Sequence, residues 1–278
     1  MIAVVLALGA AALSGPGTVS SPDGVGIRYE ATGSGRTALV LVHCWSCDRH
    51  LWDGQVEALA RDYRVVTLDL AGHGESGRGR KAWTIEAFGA DVAAVVKSLS
   101  LERVVLVGHS MGGPVSLEAA RRLPGRVVGL VAVDTLQDVE ARHAPAEIDA
   151  FLAPFSADYK AAAEKFIRDF MFVPTSDPKL VDRVVVKTQA APAEIAIAAL
   201  RSAFSYDAAS ALEAINVPIH AINGEKFPTN VEANRRHAPQ YGLTTMKGVG
   251  HYLMLERPGE FNRLLREAVG NLLASPGH

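Results

Sequence analysis

The chain is poor in cysteine, carries almost no net charge, and has no apolar run long enough to span a bilayer. Cys44 and Cys47 are its only cysteines, and no second pair of metal-ligating residues stands elsewhere to complete a structural metal site with them. Their order, Cys-Trp-Ser-Cys, has the spacing of a redox dithiol. Such a motif is expected to open a helix in a thioredoxin-like unit, whereas this one follows the apolar segment 39–43 in a loop. Both cysteines therefore read as loop or packing residues, with redox chemistry or a local disulfide left open. A formal net charge of −2 gives no electrostatic case for nucleic acid or an anionic membrane as partner. Short basic pieces such as Arg235 with Arg236 read as solvated faces. The apolar stretch 1–13 is too short to span a membrane. It resembles the h-region of a secretory signal but lacks a basic n-region, so residues 1–15 are expected to be signal-like and the protein exported, periplasmic or secreted. The alternative is an apolar arm on a cytoplasmic protein. No internal repeat or low-complexity tract is present.

What is present suits one globular enzyme. Hydrophobic residues make up 49% of 278 and charged residues 21%, enough apolar material for a buried parallel sheet. The most informative stretch is Gly108-His109-Ser110-Met111-Gly112. It follows the β-branched run 104–107 and precedes a helix-like segment, so the pattern G-x-S-x-G sits at a strand-to-helix junction. There it makes a sharp turn that holds the serine exposed above a sheet, and its glycines avoid collisions at the bend.

Along the chain, apolar strands alternate with amphipathic helices, the signature of a mainly parallel sheet covered on both faces. Segment 25–29 reads as an early antiparallel strand. Residues 38–42, 65–68, 104–107, 128–133, 219–222 and 244–246 read as core strands, and residues 52–60, 85–98, 111–122, 231–237 and 258–273 as helices. Segment 136–210 breaks the rhythm. It has helical periodicity at 161–170 and 195–204, Pro-containing turns and no strand. It reads as a helical cap inserted after the sixth strand, leaving 16–135 and 211–278 as the core.

Four stretches now carry a resemblance: Leu39-Val40-Leu41-Val42-His43-Cys44-Trp45, Asp69-Leu70-Ala71-Gly72-His73-Gly74-Glu75-Ser76, Gly108 to Gly113, and Gly248-Val249-Gly250-His251. In this order they resemble the α/β-hydrolase superfamily, in its capped, esterase-like and lipase-like group. The resemblance implies an α/β fold with an eight-stranded-type, mostly parallel sheet, a serine nucleophile, and no cofactor or metal.

Ser110 needs a base, because its hydroxyl is a weak nucleophile at its free pKa. The family order of nucleophile, acid and histidine selects His251, which follows the last expected strand. His109 belongs to the turn itself and is expected to pack beneath it. The resemblance gives His73 a structural role, and His43 is expected to support the loop that follows it.

The acid is harder to place. The resemblance puts an aspartate in the turn Gly224-Glu225-Lys226-Phe227, yet Phe227 fills that slot and cannot accept an imidazole N–H. Asp134, at the end of the sixth strand beside the serine turn, is the preferred acid, and Glu225 is the alternative. Asp138 is a weaker candidate.

The oxyanion donors are expected to be the backbone N–H of Met111, by the geometry of the turn, and that of Trp45, by resemblance. Cys44 replaces a glycine there, so its backbone must avoid positive φ or tolerate strain. Phe151, Phe155, Phe170, Phe172 and Phe204 are expected to line an apolar pocket in the cap, with Phe166 and Met171 near them.

The activity implied is carboxylic ester hydrolysis through an acyl-enzyme, on a small uncharged ester with a short or medium acyl group. Perhydrolase, lactonase and carbon–carbon hydrolase activities share the triad and stay open. So does a non-catalytic small-ligand receptor on the same fold. Oligomeric state is not legible.

Overall fold

In a computed structural model, residues 15–274 are described. Of residues 1–15, expected to be signal-like, 1–14 lie outside them, and Gly15 opens the first strand. Eight strands form one sheet: β1 (Gly15–Ser20), β2 (Gly26–Thr32), β3 (Ala38–Val42), β4 (Arg64–Leu68), β5 (Val104–His109), β6 (Val127–Val133), β7 (Ile219–Gly224) and β8 (Gly242–Met246). Their order is β1-β2-β4-β3-β5-β6-β7-β8. The pairs β1–β2 and β2–β4 are antiparallel and all the others parallel. Strand β1 has no counterpart in the sequence reading, because Gly-Pro-Gly-Thr-Val-Ser offers neither an apolar run nor a clear alternation.

The central strands are continuous apolar runs because both sheet faces are covered. Val40, Val42, Leu68 and Leu106 pack with α2 (Ile85–Ser98) and α3 (Gly112–Arg121) on one face. Leu39, Leu41, Val105 and Val107 alternate onto the other face, with α11 (Pro258–Ala274) and the flank of α1 (Asp53–Leu59). Parallel pairing of β3, β5 and β6 brings the carboxyl ends of these strands to one edge of the sheet, where ligand sites of open α/β sheets lie.

Between β6 and β7 the chain runs through α4 (Pro145–Ala157), α5 (Tyr159–Phe166), a π-helical turn (Ile167–Met171), α6 (Pro178–Gln189), α7 (Ala193–Ser205) and α8 (Ala208–Glu213). The boundary expected at residue 210 falls inside α8, which packs against α3 and α9 (Val231–His237) and so sides with the core. The last short helix is α10 (Leu253–Glu256). Among the described residues no helix is long and apolar enough to cross a membrane.

Candidate active site

The turn at Ser110 is held by crowding. Ser110 adopts φ 54°, its N–H donates to the Val133 carbonyl (3.0 Å), and its own carbonyl accepts from Gly113 (2.8 Å). A Cβ on Gly108 would stand 2.2 Å from the Gly112 oxygen, and one on Gly112 would stand 2.5 Å from the Val42 oxygen. These two glycines are required by close approach, while the strained φ falls on the serine, as at many functional turns.

Asp134 is the next residue after β6 and has φ 43°. Its N–H donates to the Ile222 carbonyl (3.0 Å) and its Oδ1 accepts from the Gly224 N–H (2.8 Å). Its Oδ2 lies 2.5 Å from His251 Nδ1. A carboxylate oxygen so placed accepts the Nδ1–H, which leaves His251 Nε2 as the nitrogen free to exchange a proton. Asp134 is buried and His251 is nearly so. Glu225 lies elsewhere: its Oε1 accepts from Gly248 N–H (2.8 Å), bracing the loop before His251 without meeting the imidazole. Phe227, in the slot where an aspartate was expected, presents its ring edge-on to His251, with centroids 6.3 Å apart.

The His251 loop is tied down from two sides. Its N–H donates to the Met171 carbonyl (2.7 Å), from the π-helical turn. Its carbonyl accepts from His109 Nε2 (2.9 Å). Gly250 permits the approach, since a Cβ there would be 2.5 Å from the Met171 oxygen. Neither tie was legible in the sequence, because both span long separations and neither belongs to a motif.

His109 is therefore the Nε2–H tautomer, with its buried Nδ1 lacking a partner. Burial first, and the neighbouring His251 second, hold its pKa well below the ordinary value. His43 donates from Nδ1 to the Cys44 carbonyl (2.8 Å) and accepts at Nε2 from Leu70 N–H (3.0 Å), an arrangement open only to neutral imidazole. Burial lowers its pKa as well, and lowers that of His73 to about 3.

These three histidines set a pH dependence. Each is harder to protonate folded than unfolded, so below about pH 6.5 the unfolded chain takes up protons that the native state refuses. Their contribution to stability is whole above that pH and is lost as pH falls. Each steepens the loss where its unfolded imidazole takes up a proton that the buried ring refuses. Urea midpoints that fall clearly from pH 7 to pH 5.5 are the expected result. An unchanged midpoint would contradict neutral burial of the three rings.

The loop after β3 supplies the other wall. Cys44 and Cys47 are joined in a disulfide, with Cα atoms 5.4 Å apart. Cys44 avoids positive φ, and Ser46 takes the left-handed conformation instead (φ 54°). Trp45 Nε1–H donates to the Ala196 carbonyl of α7 (2.7 Å). Among the turn and loop hydrogen bonds of the described residues, the N–H groups of Trp45 and Met111 donate to no main-chain carbonyl.

Ser110, His251, Trp45 and Met111 line one cavity of about 300 Å³. Of the five phenylalanines expected there, Phe204 lines it, joined by Phe166. Phe151 and Phe155 pack behind them as an aromatic cluster, with Phe151–Phe204 centroids 5.0 Å apart and Phe155–Phe166 centroids 5.8 Å apart. Phe172 is buried against Tyr252 (5.3 Å), and Phe170 is 51% exposed. The wider π-helical turn accounts for Phe170, since it brings Ile167 and Met171 inward and leaves Phe170 outside. Thr135 and Gln137, on the loop after Asp134, add polar groups to the wall. No sequence signal pointed to either. Asp138 accepts from Glu140 N–H and Asn230 Nδ2 on the surface, away from the imidazole. No group of three or more potential metal ligands is found among the described residues.

Residues 39–264 match the family described as the alpha/beta hydrolase family. A non-heme chloroperoxidase of Streptomyces lividans is 38% identical over 127 residues, covering 44% of this chain and 46% of that protein. A pimeloyl-(acyl-carrier protein) methyl ester esterase of Sodalis glossinidius is 28% identical over 208 residues, covering 72% of this chain and 79% of the relative. The chain spans less than half the length of the first curated relatives it matches. Among solved structures, a thermophilic esterase from Thermogutta terrifontis superposes with a TM-score of 0.81 at 25% identity, covering 93% of this chain and 99% of that one.

Proposed function

Because the chain belongs to the alpha/beta hydrolase family, we propose that it is a serine esterase acting on small, uncharged carboxylic esters of short or medium acyl chain. The observation that carries this reading is the Asp134 carboxylate on His251 Nδ1, with His251 and Ser110 facing one largely apolar cavity. In the mechanism, His251 Nε2 takes the Ser110 proton as Oγ attacks the ester carbon. The new oxyanion accepts from the Trp45 and Met111 amides. Collapse expels the alcohol, which receives its proton from His251, and leaves the acyl group on Ser110. Water, deprotonated by the same nitrogen, then adds to the acyl carbon and releases the acid. Asp134 holds the imidazole in the Nδ1–H tautomer and stabilises its charged form.

Support for an ester substrate comes from the named esterase relatives and from a cavity with no charged side chain beyond the catalytic group itself. The likeness to a chloroperoxidase favours one second reading, in which hydrogen peroxide replaces water at the acyl-enzyme and a peracid is released.

The test is a series of p-nitrophenyl esters together with an alkylphosphonate ester as covalent label. Short and medium chains should turn over faster than the palmitate. The label should add once, at Ser110, and abolish turnover. Labelling at another residue, or none alongside undiminished turnover, would refute the proposal. Peroxide added to the assay separates acid from peracid.

A further inference from the structure

The chain between β3 and the 3₁₀ turn Arg49–Trp52 carries one of the two oxyanion amides, yet it belongs to no ladder and no helix. The main-chain bond closing it is Cys47 N–H to the Cys44 carbonyl at 3.3 Å, the long end of the range. Inside it Ser46 holds a left-handed φ that a residue with a side chain leaves when nothing constrains it. The outside anchors are side-chain contacts: the Trp45 indole on Ala196, Ser46 Oγ with Tyr159 Oη at 3.1 Å, and the Asp48 carboxylate with Lys187 of α6. His43 grips the Cys44 carbonyl from below. The one covalent constraint on the Trp45 amide is the Cys44–Cys47 bond, which brackets that residue on both sides.

The two cysteines face different spaces. Cys44 lines the catalytic cavity beside Trp45 and Ser110. Cys47 lines a separate outer cleft of about 340 Å³, together with Arg49, Gly74, Arg78 and Lys187. A small thiol can therefore approach Cys47 through this cleft, whose wall also carries Asp48 and Glu75, without crossing the catalytic cavity.

We propose that the Cys44–Cys47 disulfide is a positioning element for the Trp45 oxyanion amide, so that turnover follows the redox state of this pair. This rests on the reading of Ser110 as the acylated serine. In reduction, the thiolate of a dithiol attacks Cys47 Sγ. The Cys44–Cys47 bond breaks, and Cys44 leaves as a thiolate that takes a proton. The second thiol of the reductant attacks the mixed disulfide, which frees Cys47 as a thiol and closes the reductant into a cyclic disulfide. Two electrons and two protons pass to the protein, and no other oxidant or reductant is needed.

The oxyanion exists only after Ser110 has added to the carbonyl. An amide that wanders therefore weakens the transition state and leaves ground-state binding in the apolar cavity alone. Removal of one whole donor lowers turnover by about 10²–10³, and a donor that is loosened but present should cost about 10-fold or somewhat more.

The experiment uses the full chain, assayed oxidised and after incubation with dithiothreitol, with free thiols titrated in parallel. When two thiols appear, kcat should fall about 10-fold or more with KM within about twofold, and reoxidation by an excess of a small disulfide, which is itself reduced to two thiols, should restore it. The Cys44→Ser/Cys47→Ser double variant should show the low kcat at every redox state. Two titrated thiols with kcat unchanged would overturn the inference. So would a loss carried by KM, or one that reoxidation does not reverse, because those mark general loosening of the fold. Phosphonate labelling of Ser110 in the oxidised protein tests the underlying esterase reading separately, and its failure would be visible before any reductant is added.

Discussion

Replacing Ser110 by alanine is expected to lower kcat for p-nitrophenyl butyrate by about 10⁶-fold, the size seen when the serine of an acylating triad is removed elsewhere. In the proposed mechanism no other nucleophile can take over, because among the described residues lining the cavity His251 is the one imidazole, and Asp134 braces it for Ser110. The fold should survive the change. The main-chain bonds of Ser110, to Val133 and from Gly113, are indifferent to its side chain, and alanine meets the same φ of 54° that serine already accepts. Thermal melting alongside the kinetics separates loss of chemistry from loss of structure. A folded Ser110→Ala protein that keeps turnover within about tenfold of wild type would dismiss the acyl-enzyme route.

The second large effect concerns the acid. Asp134→Asn should cost about 10⁴-fold in kcat, whereas Glu225→Gln should stay within about twofold. An asparagine at 134 can still accept from Gly224 N–H through its oxygen. Its amide nitrogen then meets His251 Nδ1, which must become an acceptor, and the ring proton moves to Nε2. That tautomer points a proton at Ser110 and cannot receive one. Glu225 braces Gly248, so its amide analogue keeps the same acceptor oxygen for that N–H. Measuring kcat for both variants under one set of conditions decides the matter. A severe loss at Glu225 with near-normal activity at Asp134 would reverse the assignment.

The legible parts of this molecule are those written in local periodicity. Strand β5, the glycines around Ser110 and helix α2 follow from short stretches whose side chains alternate or recur on one face. Asp134 could be singled out because a carboxylate directly after Val-Ala-Val ends a buried strand beside the serine turn. The phenylalanine in the usual slot supplied the reason to look there. The cavity wall was much less legible. A helical period run through residues 161–170 assumes 3.6 residues per turn, and the π-helical turn changes the facing of Phe170. Phe151 and Phe155 show the same difficulty in another form, since aromatic spacing reveals burial but not whether a ring meets a ligand or another ring. The His109–His251 tie joins positions 142 apart and carries no motif. A disulfide between Cys44 and Cys47 depends on the backbone path between them, which four letters do not specify.

Pairing Asp134 with His251 has a consequence for the order in which the chain is made. The serine turn and the carboxylate leave the ribosome with α3 and β6 between them, at the ends of neighbours β5 and β6. The imidazole follows 117 residues after the carboxylate, once the whole helical insertion has been synthesised. A nascent chain halted anywhere in that insertion thus holds a buried-type aspartate and a strained serine but no proton acceptor between them. In the proposed mechanism it is chemically silent. Turnover by this mechanism then begins only when the segment carrying β7, β8 and His251 has docked on the sheet.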